Sequence, residues 1–181
     1  MDLRVQKTKS SIKTAFLELR EQKPLERITV KELAEKAMIN KATFYTHYKD
    51  IYDLQDQLED EVVINVIKQM PHPEYLYTDP KEGTKDLARA MVAMRETFNA
   101  VFKHGREHYL SDKIDRHIKE FIYARYPNFR DNVKINALLT ILTYGGFTAH
   151  IRYSTSPNED VIDVIGDVND RLKDLYDKYM E

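Results

Sequence analysis

The chain has 181 residues, of which 42% are hydrophobic and 32% are charged, and its net charge at pH 7 is −2. This composition is typical of a globular rather than a disordered chain, and the absence of cysteine excludes disulfides, thiolate metal sites and cysteine nucleophiles. Because the sequence has no run of about 18 apolar residues and no apolar N-terminal signal segment, we expect a cytoplasmic protein without a membrane partner.

Charge is divided unevenly along the chain. Residues 1–49 contain 11 Lys and Arg against 6 Asp and Glu, a net of +5, whereas residues 50–181 contain 17 against 24, a net of −7. A basic segment of this kind is typical of a domain that meets a polyanion such as nucleic acid. Chance clustering of charge on a solvated surface is the alternative.

The first 50 residues predict three helices. Apolar residues recur there at the spacing of a helix rather than of a strand. The first helix carries the apolar stripe Ile12–Leu19 and ends before a proline. The second begins after Thr29, which forms a capping box with Glu32, and the third begins after Asn40 and runs to about residue 48.

The rest of the chain predicts longer helices and one loop. A fourth helix extends from about residue 50 to the proline at position 71, and residues 71–83, which hold three Pro and one Gly, are predicted as a loop. Four more helices are predicted over residues 84–102, 111–126, 130–154 and 158–180. The sequence therefore predicts an all-α fold.

Residues 28–48, which include the second and third helices, have the pattern of a helix-turn-helix. The small residues Ala34 and Ala37 allow the helices to approach closely, and Ile39 in the turn is placed to pack on Leu33 and Ala34. Phe44 and Tyr48 lie four positions apart, so both can pack inward. The remaining, outward surface of the third helix is short, polar and basic, as a recognition helix in a major groove requires.

The segment Ala37–Asp50, with the sequence AMINKATFYTHYKD, resembles the TetR family of transcriptional regulators. The resemblance covers about residues 8–58. Two positions depart from the family pattern, because Met38 replaces the glycine of the turn and Ile51 replaces a lysine that is common at the start of the fourth helix.

The resemblance implies a homodimeric repressor that binds a palindromic operator in double-stranded DNA and is released by a small hydrophobic effector. An N-terminal three-helix helix-turn-helix DNA-binding domain, residues 1–49, then precedes a C-terminal helical bundle for dimerisation and effector binding, residues 50–181. An activator or protein-partnered regulator without a small ligand is the alternative. An enzyme is a third class, but the sequence has no nucleophile–base pair, phosphate loop or metal set, so we expect no enzymatic activity and no cofactor.

Seven residues are predicted to contact DNA. The resemblance implies that Tyr45 and His47 touch backbone phosphate, with a core position as the alternative for the tyrosine. Lys41 and Thr43 are candidates for base edges, because lysine suits guanine acceptors and a threonine methyl suits thymine; a phosphate contact is the alternative for Lys41. Thr29 could bind a phosphate or only cap its helix. The predicted set is Thr29, Lys41, Ala42, Thr43, Tyr45, His47 and Lys49.

The two C-terminal helices are predicted to form the dimer interface. The pair Gly145-Gly146 inside a helix costs about 1 kcal/mol per glycine relative to alanine, and close approach of another helix would offset that cost. A kinked helix is the alternative. With the partner's helices, the two would make a four-helix bundle. The predicted interface residues are Leu138, Leu142, Gly145, Gly146, Ile165, Val168 and Leu172.

The resemblance also implies a small-molecule pocket among the middle helices. Met and aromatic residues at helical spacing are its candidate lining, although a filled core gives the same pattern. The candidates are Met91, Met94, Phe98, Phe102, Tyr109, Phe121 and Tyr144. His104, His108 and His117 could share a metal ion, but Gly105 indicates a turn between the first two, and no metal site is predicted.

Overall fold

The computed structural model describes residues 3–102, 106, 108–153 and 160–180, and every regular element within these residues is helical. This confirms the predicted all-α class. The helices are α1 (Leu3–Gln22), α2 (Val30–Lys36), α3 (Lys41–Tyr45), α4 (Ile51–Gln69), α5 (Tyr75–Thr78), α6 (Pro80–Ala93), α7 (Arg95–Val101), α8 (His108–Arg125), α9 (Val133–Tyr153) and α10 (Asp160–Met180). None of these described helices is both long and apolar enough to cross a membrane.

The chain forms two compact units. The first contains residues 1–62 and 96–107, and the second contains residues 63–95 and 108–181. Helix α4 contributes to both units, since its residues up to Val62 belong to the first and the remainder to the second. The first unit thus continues beyond residue 49, where the sequence predicts the boundary, because the start of α4 supplies part of its core.

The core of the first unit is built from one face of each of its N-terminal helices. Ile12 and Phe16 of α1, Leu33 of α2, Phe44 of α3 and Leu54 of α4 are completely shielded from solvent. Burial of a side chain of this size contributes about 1.5–3 kcal/mol. Helices as short as α2 and α3 are marginal alone in water, so both depend on this shared core.

A buried polar cluster joins α4 to Val101 and Arg106 in the first unit. Glu59 is fully buried, and its carboxylate accepts hydrogen bonds from the Arg106 guanidinium at 2.7 and 2.8 Å. The side-chain amide of Gln55 donates to the same carboxylate at 2.7 Å and to the carbonyl oxygen of Val101 at 2.8 Å. Because a buried charge is costly unless it is paired and hydrogen-bonded, these bonds fix α4 to the end of α7.

In the second unit, α10 packs along α6 and α9, and α8 packs on α9. Ile118 of α8 is among the buried aliphatic residues of this core. Polar pairs join α10 to α6, with Lys81 bound to Asp167 at 2.5 Å and the side-chain amide of Asn169 donating to the Thr84 hydroxyl at 2.8 Å. The ion pair is exposed and so contributes little to stability, and the packing of α10 on its neighbours rests mainly on apolar burial.

Residues 71–83 are not the loop that their proline and glycine content predicts. Helix α5 occupies Tyr75–Thr78, and α6 begins at Pro80. Asp79 caps α6 by accepting a backbone N–H bond at 3.2 Å, and Pro80 takes the first helical position, where a missing N–H costs nothing. Gly83 serves close packing, because a Cβ atom there would lie 2.5 Å from the backbone of α5.

The prediction of a single helix over residues 84–102 is also wrong. The chain breaks at Met94, whose φ of −101° and ψ of 13° end α6, and α7 begins at the next residue. The other predicted bounds differ by a few residues. A 3-10 turn at Pro127–Phe129 delays the start of α9 to Val133.

Candidate nucleic-acid interface

Helix α2 begins with half of the predicted capping box. The Thr29 hydroxyl oxygen accepts a hydrogen bond from the backbone N–H of Glu32 at 3.3 Å, which confirms the cap. The carboxylate of Glu32 does not complete the box but pairs with the Lys23 ammonium at 2.5 Å. Since Thr29 is exposed and caps through its oxygen, its hydroxyl proton can still be donated to a ligand such as a phosphate.

The turn after α2 is closed by a Schellman motif. The N–H of Ile39 donates to the carbonyl oxygen of Ala34 at 2.9 Å, and the N–H of Met38 donates to that of Glu35 at 3.2 Å. This pattern requires a left-handed residue at the position of Met38, which adopts a φ of 55° although it is not glycine. The turn between α2 and α3 therefore forms despite the departure at Met38.

Helix α3 depends on its N-cap. The side-chain oxygen of Asn40 accepts from the backbone N–H of Thr43 at 2.7 Å and from its hydroxyl at 2.9 Å, which confirms the predicted cap. The helix ends at Tyr45, earlier than predicted, with Thr46 as its C-cap. Because the hydroxyl proton of Thr43 is used by the cap, its methyl group is the part suited to a thymine contact.

The inner side of α3 is aromatic. Phe44 is fully buried and Tyr48 is 2% exposed, with their ring centroids 5.6 Å apart. This confirms that both pack inward. Burial, together with the negative charges of Glu61 and Asp53, raises the pKa of Tyr48 to about 12. Tyr48 therefore stays neutral and anchors the segment that follows α3 against the core.

The outer side of α3 is polar and exposed. Tyr45 is 57% exposed, so the alternative of a core tyrosine is excluded. Lys41 and Ala42 are exposed as well, and Thr43 and His47 are half-buried beside them. Lys41 forms no ion pair with any residue that the structure describes. Four of the seven predicted DNA contacts thus lie on this one short helix, and His47 and the exposed Lys49 follow directly after it.

The start of α4 carries two carboxylates that the sequence interpretation missed. Asp50 accepts from the N–H of Asp53 at 2.8 Å, and Asp53 accepts from the N–H of Lys49 at 2.8 Å. The bond from the Lys49 backbone lowers the pKa of Asp53. Ile51 is 5% exposed and belongs to the core. The sequence signal for this cap was the Asp-x-x-Asp spacing. The two carboxylates make the start of α4 unsuited to binding a phosphate.

The second unit contains a cavity of about 90 Å³ lined by α6, α8, α9 and α10. Four polar side chains line it, those of Thr84, Thr143, His150 and Asn169. Burial, assisted by the positive charge of Arg95, holds the pKa of His150 below its ordinary value of 6.5. The apolar walls are formed mainly by Leu87, Ala88, Met91, Ile114, Ile118, Ile122, Leu139, Leu142, Phe147, Ile162 and Ile165.

Only Met91 of the seven predicted pocket residues lines this cavity. Phe98 and Phe102 are buried in the first unit, where their rings stack with centroids 5.8 Å apart. The break at Met94 separates the helix that carries Met91 from the helix that carries Phe98. The sequence prediction placed these residues on one continuous helical stripe. That prediction is wrong for Phe98 and Phe102, which do not line the cavity.

The remaining predicted pocket residues also lie away from this cavity. The hydroxyl of Tyr144 donates to Asp112, which raises the tyrosine pKa to about 12. Phe121 packs beside Tyr77, with ring centroids 6.2 Å apart, and Tyr109 is 40% exposed. The polar lining, above all His150, was missed. Its signal was the helical spacing Thr143–Gly146–His150 along α9.

The predicted dimer residues divide into two groups. Leu138 and Ile165 are buried within the second unit, and Leu142 and Gly146 line the cavity. A Cβ atom on Gly146 would lie 3.0 Å from Ile165, so this glycine allows α9 and α10 to approach within one chain. These four of the seven predicted interface residues therefore pack within one chain and do not fit a dimer interface.

The other group leaves an apolar face on α9 and α10. A Cβ atom on Gly145 would meet no described atom within 4 Å, Val168 is 49% exposed, and Leu172 is half-buried. Ile141 and Val164, at 63% and 60% exposed, extend this face by one helical turn on each helix. Both belong to the apolar stripes of the two C-terminal helices, but the predicted interface set did not include them, although they precede Gly145 and Val168 by four residues.

The structure describes no metal centre. His104 and Gly105 lie outside the described residues, and the side chain of His108 is not described. Within the described part of the chain, no three His, Asp or Glu side chains are grouped so that they could hold a metal ion.

In comparisons with known proteins, no protein family, curated protein or solved structure matches this chain. Its function is therefore inferred from the geometry of α2, α3 and the turn between them in the first unit, and from the cavity and apolar face of the second.

Proposed function

We propose that this chain is a TetR-type transcriptional regulator that binds a palindromic operator as a homodimer and represses transcription until a small-molecule effector releases it. One observation carries the proposal: the capped helices α2 and α3, joined by the turn at Met38, expose a short polar and basic side of α3. A helix with this exposed side fits a major groove. The net charge of +5 in residues 1–49 supports a polyanionic partner.

In this proposal, the residues in and around α3 have different roles in DNA recognition. Lys41 and Thr43 contact base edges, because one offers an ammonium donor and the other a methyl group. Tyr45 and His47 contact backbone phosphates, which fix the register of the helix without reading sequence. Lys49 adds a charge contact. Thr29 donates its hydroxyl to a further phosphate, and Ala42 leaves room for the helix to approach the bases.

The dimer is proposed to form through the apolar face of α9 and α10. A single helix-turn-helix reads only half of a palindromic site, so two copies related by a two-fold axis are needed. The face around Ile141, Gly145, Val164 and Val168 is exposed in one chain. A second copy would cover the same residues and bury their apolar surface.

The effector is proposed to bind in the cavity of the second unit. Binding there would shift the helices around it, and α4, which belongs to both units, would carry the shift to the DNA-binding helices. The cavity favours this reading over the alternative of an activator or protein-partnered regulator without a small ligand. A completely filled second unit would have favoured the alternative.

The direct test is selection of genomic DNA fragments with the full-length protein, followed by footprinting on the enriched fragment. Refolding the protein from denaturant beforehand removes any small molecule that has co-purified. We expect protection of a palindrome whose half-sites lie about one helical turn apart, centre to centre. Failure to enrich any fragment at low salt, with the dimer verified, would refute DNA binding. Protection of an asymmetric site would refute the homodimer.

A further inference from the structure

Two of the four polar side chains in the cavity have hydrogen-bonding capacity that the described residues leave open. Thr84 donates its hydroxyl to a backbone carbonyl at 2.7 Å and accepts from the Asn169 amide at 2.8 Å. The hydroxyl of Thr143 is bound to Asp115 at 2.5 Å and to carbonyls of its own helix. In contrast, neither the His150 ring nor the side-chain oxygen of Asn169 bonds to a described residue.

The walls of the cavity disfavour a charged ligand. None of the described residues that line it is Asp, Glu, Lys or Arg, so an ion placed there would lose its hydration without gaining a counter-ion. His150 is neutral near pH 7, because burial lowers its pKa. A neutral imidazole offers one N–H donor and one nitrogen acceptor, and the Asn169 oxygen offers a further acceptor.

The volume of the cavity sets the size of the ligand. About 90 Å³ is available, which is less than the roughly 150 Å³ of an engineered apolar cavity that holds benzene. A molecule of about six non-hydrogen atoms is therefore near the upper limit. The cavity therefore suits a compact ligand better than a large or flexible one.

We infer that this cavity binds a compact, uncharged and largely apolar molecule that carries one hydroxyl or carbonyl group, held by the His150 ring. The apolar part lies against Ile118, Leu139 and Ile165. The inference rests on the proposed function for the role of this molecule as effector, whereas the binding itself requires no DNA.

The experiment follows the methyl group of Met91 by NMR in protein labelled with ¹³C-methyl methionine. Met91 is the one methionine among the described lining residues, and Met91→Leu assigns its signal. Three probes of similar shape are titrated: cyclopentanol, cyclopentane, which lacks the hydroxyl, and cyclopentylammonium, which replaces the hydroxyl by a charge. Cyclopropanecarboxylate serves as a small anion.

Cyclopentanol is expected to shift the Met91 signal in a saturable manner. Cyclopentane is expected to bind about fivefold more weakly, the value of one ordinary hydrogen bond, and the two ions are expected not to bind. His150→Phe should reduce the affinity for cyclopentanol to the affinity for cyclopentane. His72→Phe, at an exposed histidine of the same unit, should leave both affinities unchanged. Ala88→Leu, which fills the cavity, should abolish binding of both neutral probes.

Tighter binding of either ion than of cyclopentanol would overturn the inference, and so would a Met91 signal that cyclopentanol leaves unchanged in folded protein. Equal affinities of cyclopentanol for the wild type and His150→Phe would overturn it as well. The readout is separate from the DNA test. A protein that binds cyclopentanol as expected but selects no DNA fragment would support this inference and refute the proposed function.

Discussion

Met38 holds a left-handed backbone conformation, with a φ of 55°, in the turn between α2 and α3. For a residue with a Cβ atom this conformation costs about 1–2 kcal/mol. The side chain is 93% exposed and is in no position to offset the cost by packing. The strained conformation persists because the Schellman motif fixes the turn. The buried side chains of α2 and α3 hold the helices on either side of it.

Met38→Gly is expected to stabilise the protein by about 0.5–1 kcal/mol. Glycine removes the conformational cost but loses more freedom on folding, and the second effect offsets about 0.5–1 kcal/mol of the gain. Urea denaturation measures the difference. Met38→Ala is the control and should leave the midpoint unchanged. An alanine variant as stable as the glycine variant would mean that the side chain, and not the backbone, is the source of strain.

His150 is expected to make the stability of the protein depend on pH. Burial and then Arg95 lower its folded pKa below 6.5, so the unfolded chain binds the proton more tightly. The free energy of unfolding is therefore highest above pH 6.5 and falls as the pH drops from 6.5 towards the folded pKa. The total loss is about 1.4 kcal/mol for each pH unit that separates the folded pKa from the unfolded one.

The measurement is urea denaturation at pH 8 and at pH 5.5 for the wild type and His150→Phe. The variant should lose less stability between the two values than the wild type does. An identical loss in the wild type and His150→Phe would show that the imidazole titrates in the same way in the folded and unfolded chain.

At the scale of single elements, local patterns predicted α2 and α3 best. The caps at Thr29 and Asn40 and the inward pair Phe44 and Tyr48 depend only on residues within one or two turns, so the sequence contains the whole cause. The prediction of a loop over residues 71–83 was wrong because proline and glycine occur both in loops and in helices, where proline can begin a helix and glycine can permit close packing. Only the closeness of the α5 backbone distinguishes Gly83 as a packing residue from a loop residue.

The candidate pocket and interface were harder to predict, since both depend on which face of a helix meets which neighbour. Gly145 and Gly146 are adjacent in sequence but lie about 100° apart around the helix. One meets open space and the other meets Ile165. Phe98 and Phe102 continue the stripe of Met91 in sequence, but the break at Met94 places them in another unit. No local spacing contains this information.

The N-cap of α3 is expected to control whether the five-residue helix forms. Asn40→Ala removes the acceptor for two hydrogen bonds from Thr43, and the loss should be about 1 kcal/mol of stability. Amide hydrogen exchange in residues 41–45 should increase more than in α1. Asn40→Asp, which retains a side-chain acceptor, should stay close to the wild type. Unchanged exchange in Asn40→Ala would show that packing alone holds α3.

At the scale of the whole molecule, the apolar face of α9 and α10 is expected to close a dimer. Ile141→Glu places a carboxylate on this face, and in a symmetric interface the two copies would bring two such charges together. The variant should sediment as a folded monomer at concentrations where the wild type is a dimer.

Val92→Glu is the matched control for the dimer. Val92 is 51% exposed on α6, outside the proposed face, so the same change there should leave the dimer intact. A dimeric Ile141→Glu, or a wild type that is monomeric at every concentration, would refute this interface.

The salt dependence of operator binding tests most directly the central claim that α3 meets DNA. Lys41→Ala should weaken binding and reduce the slope of log K against log salt by about one unit. Lys68→Ala, at an exposed lysine near the end of α4, removes the same charge and should leave affinity and slope unchanged. If the affinity and slope of Lys41→Ala match those of the wild type, α3 does not contact the DNA and the account is wrong.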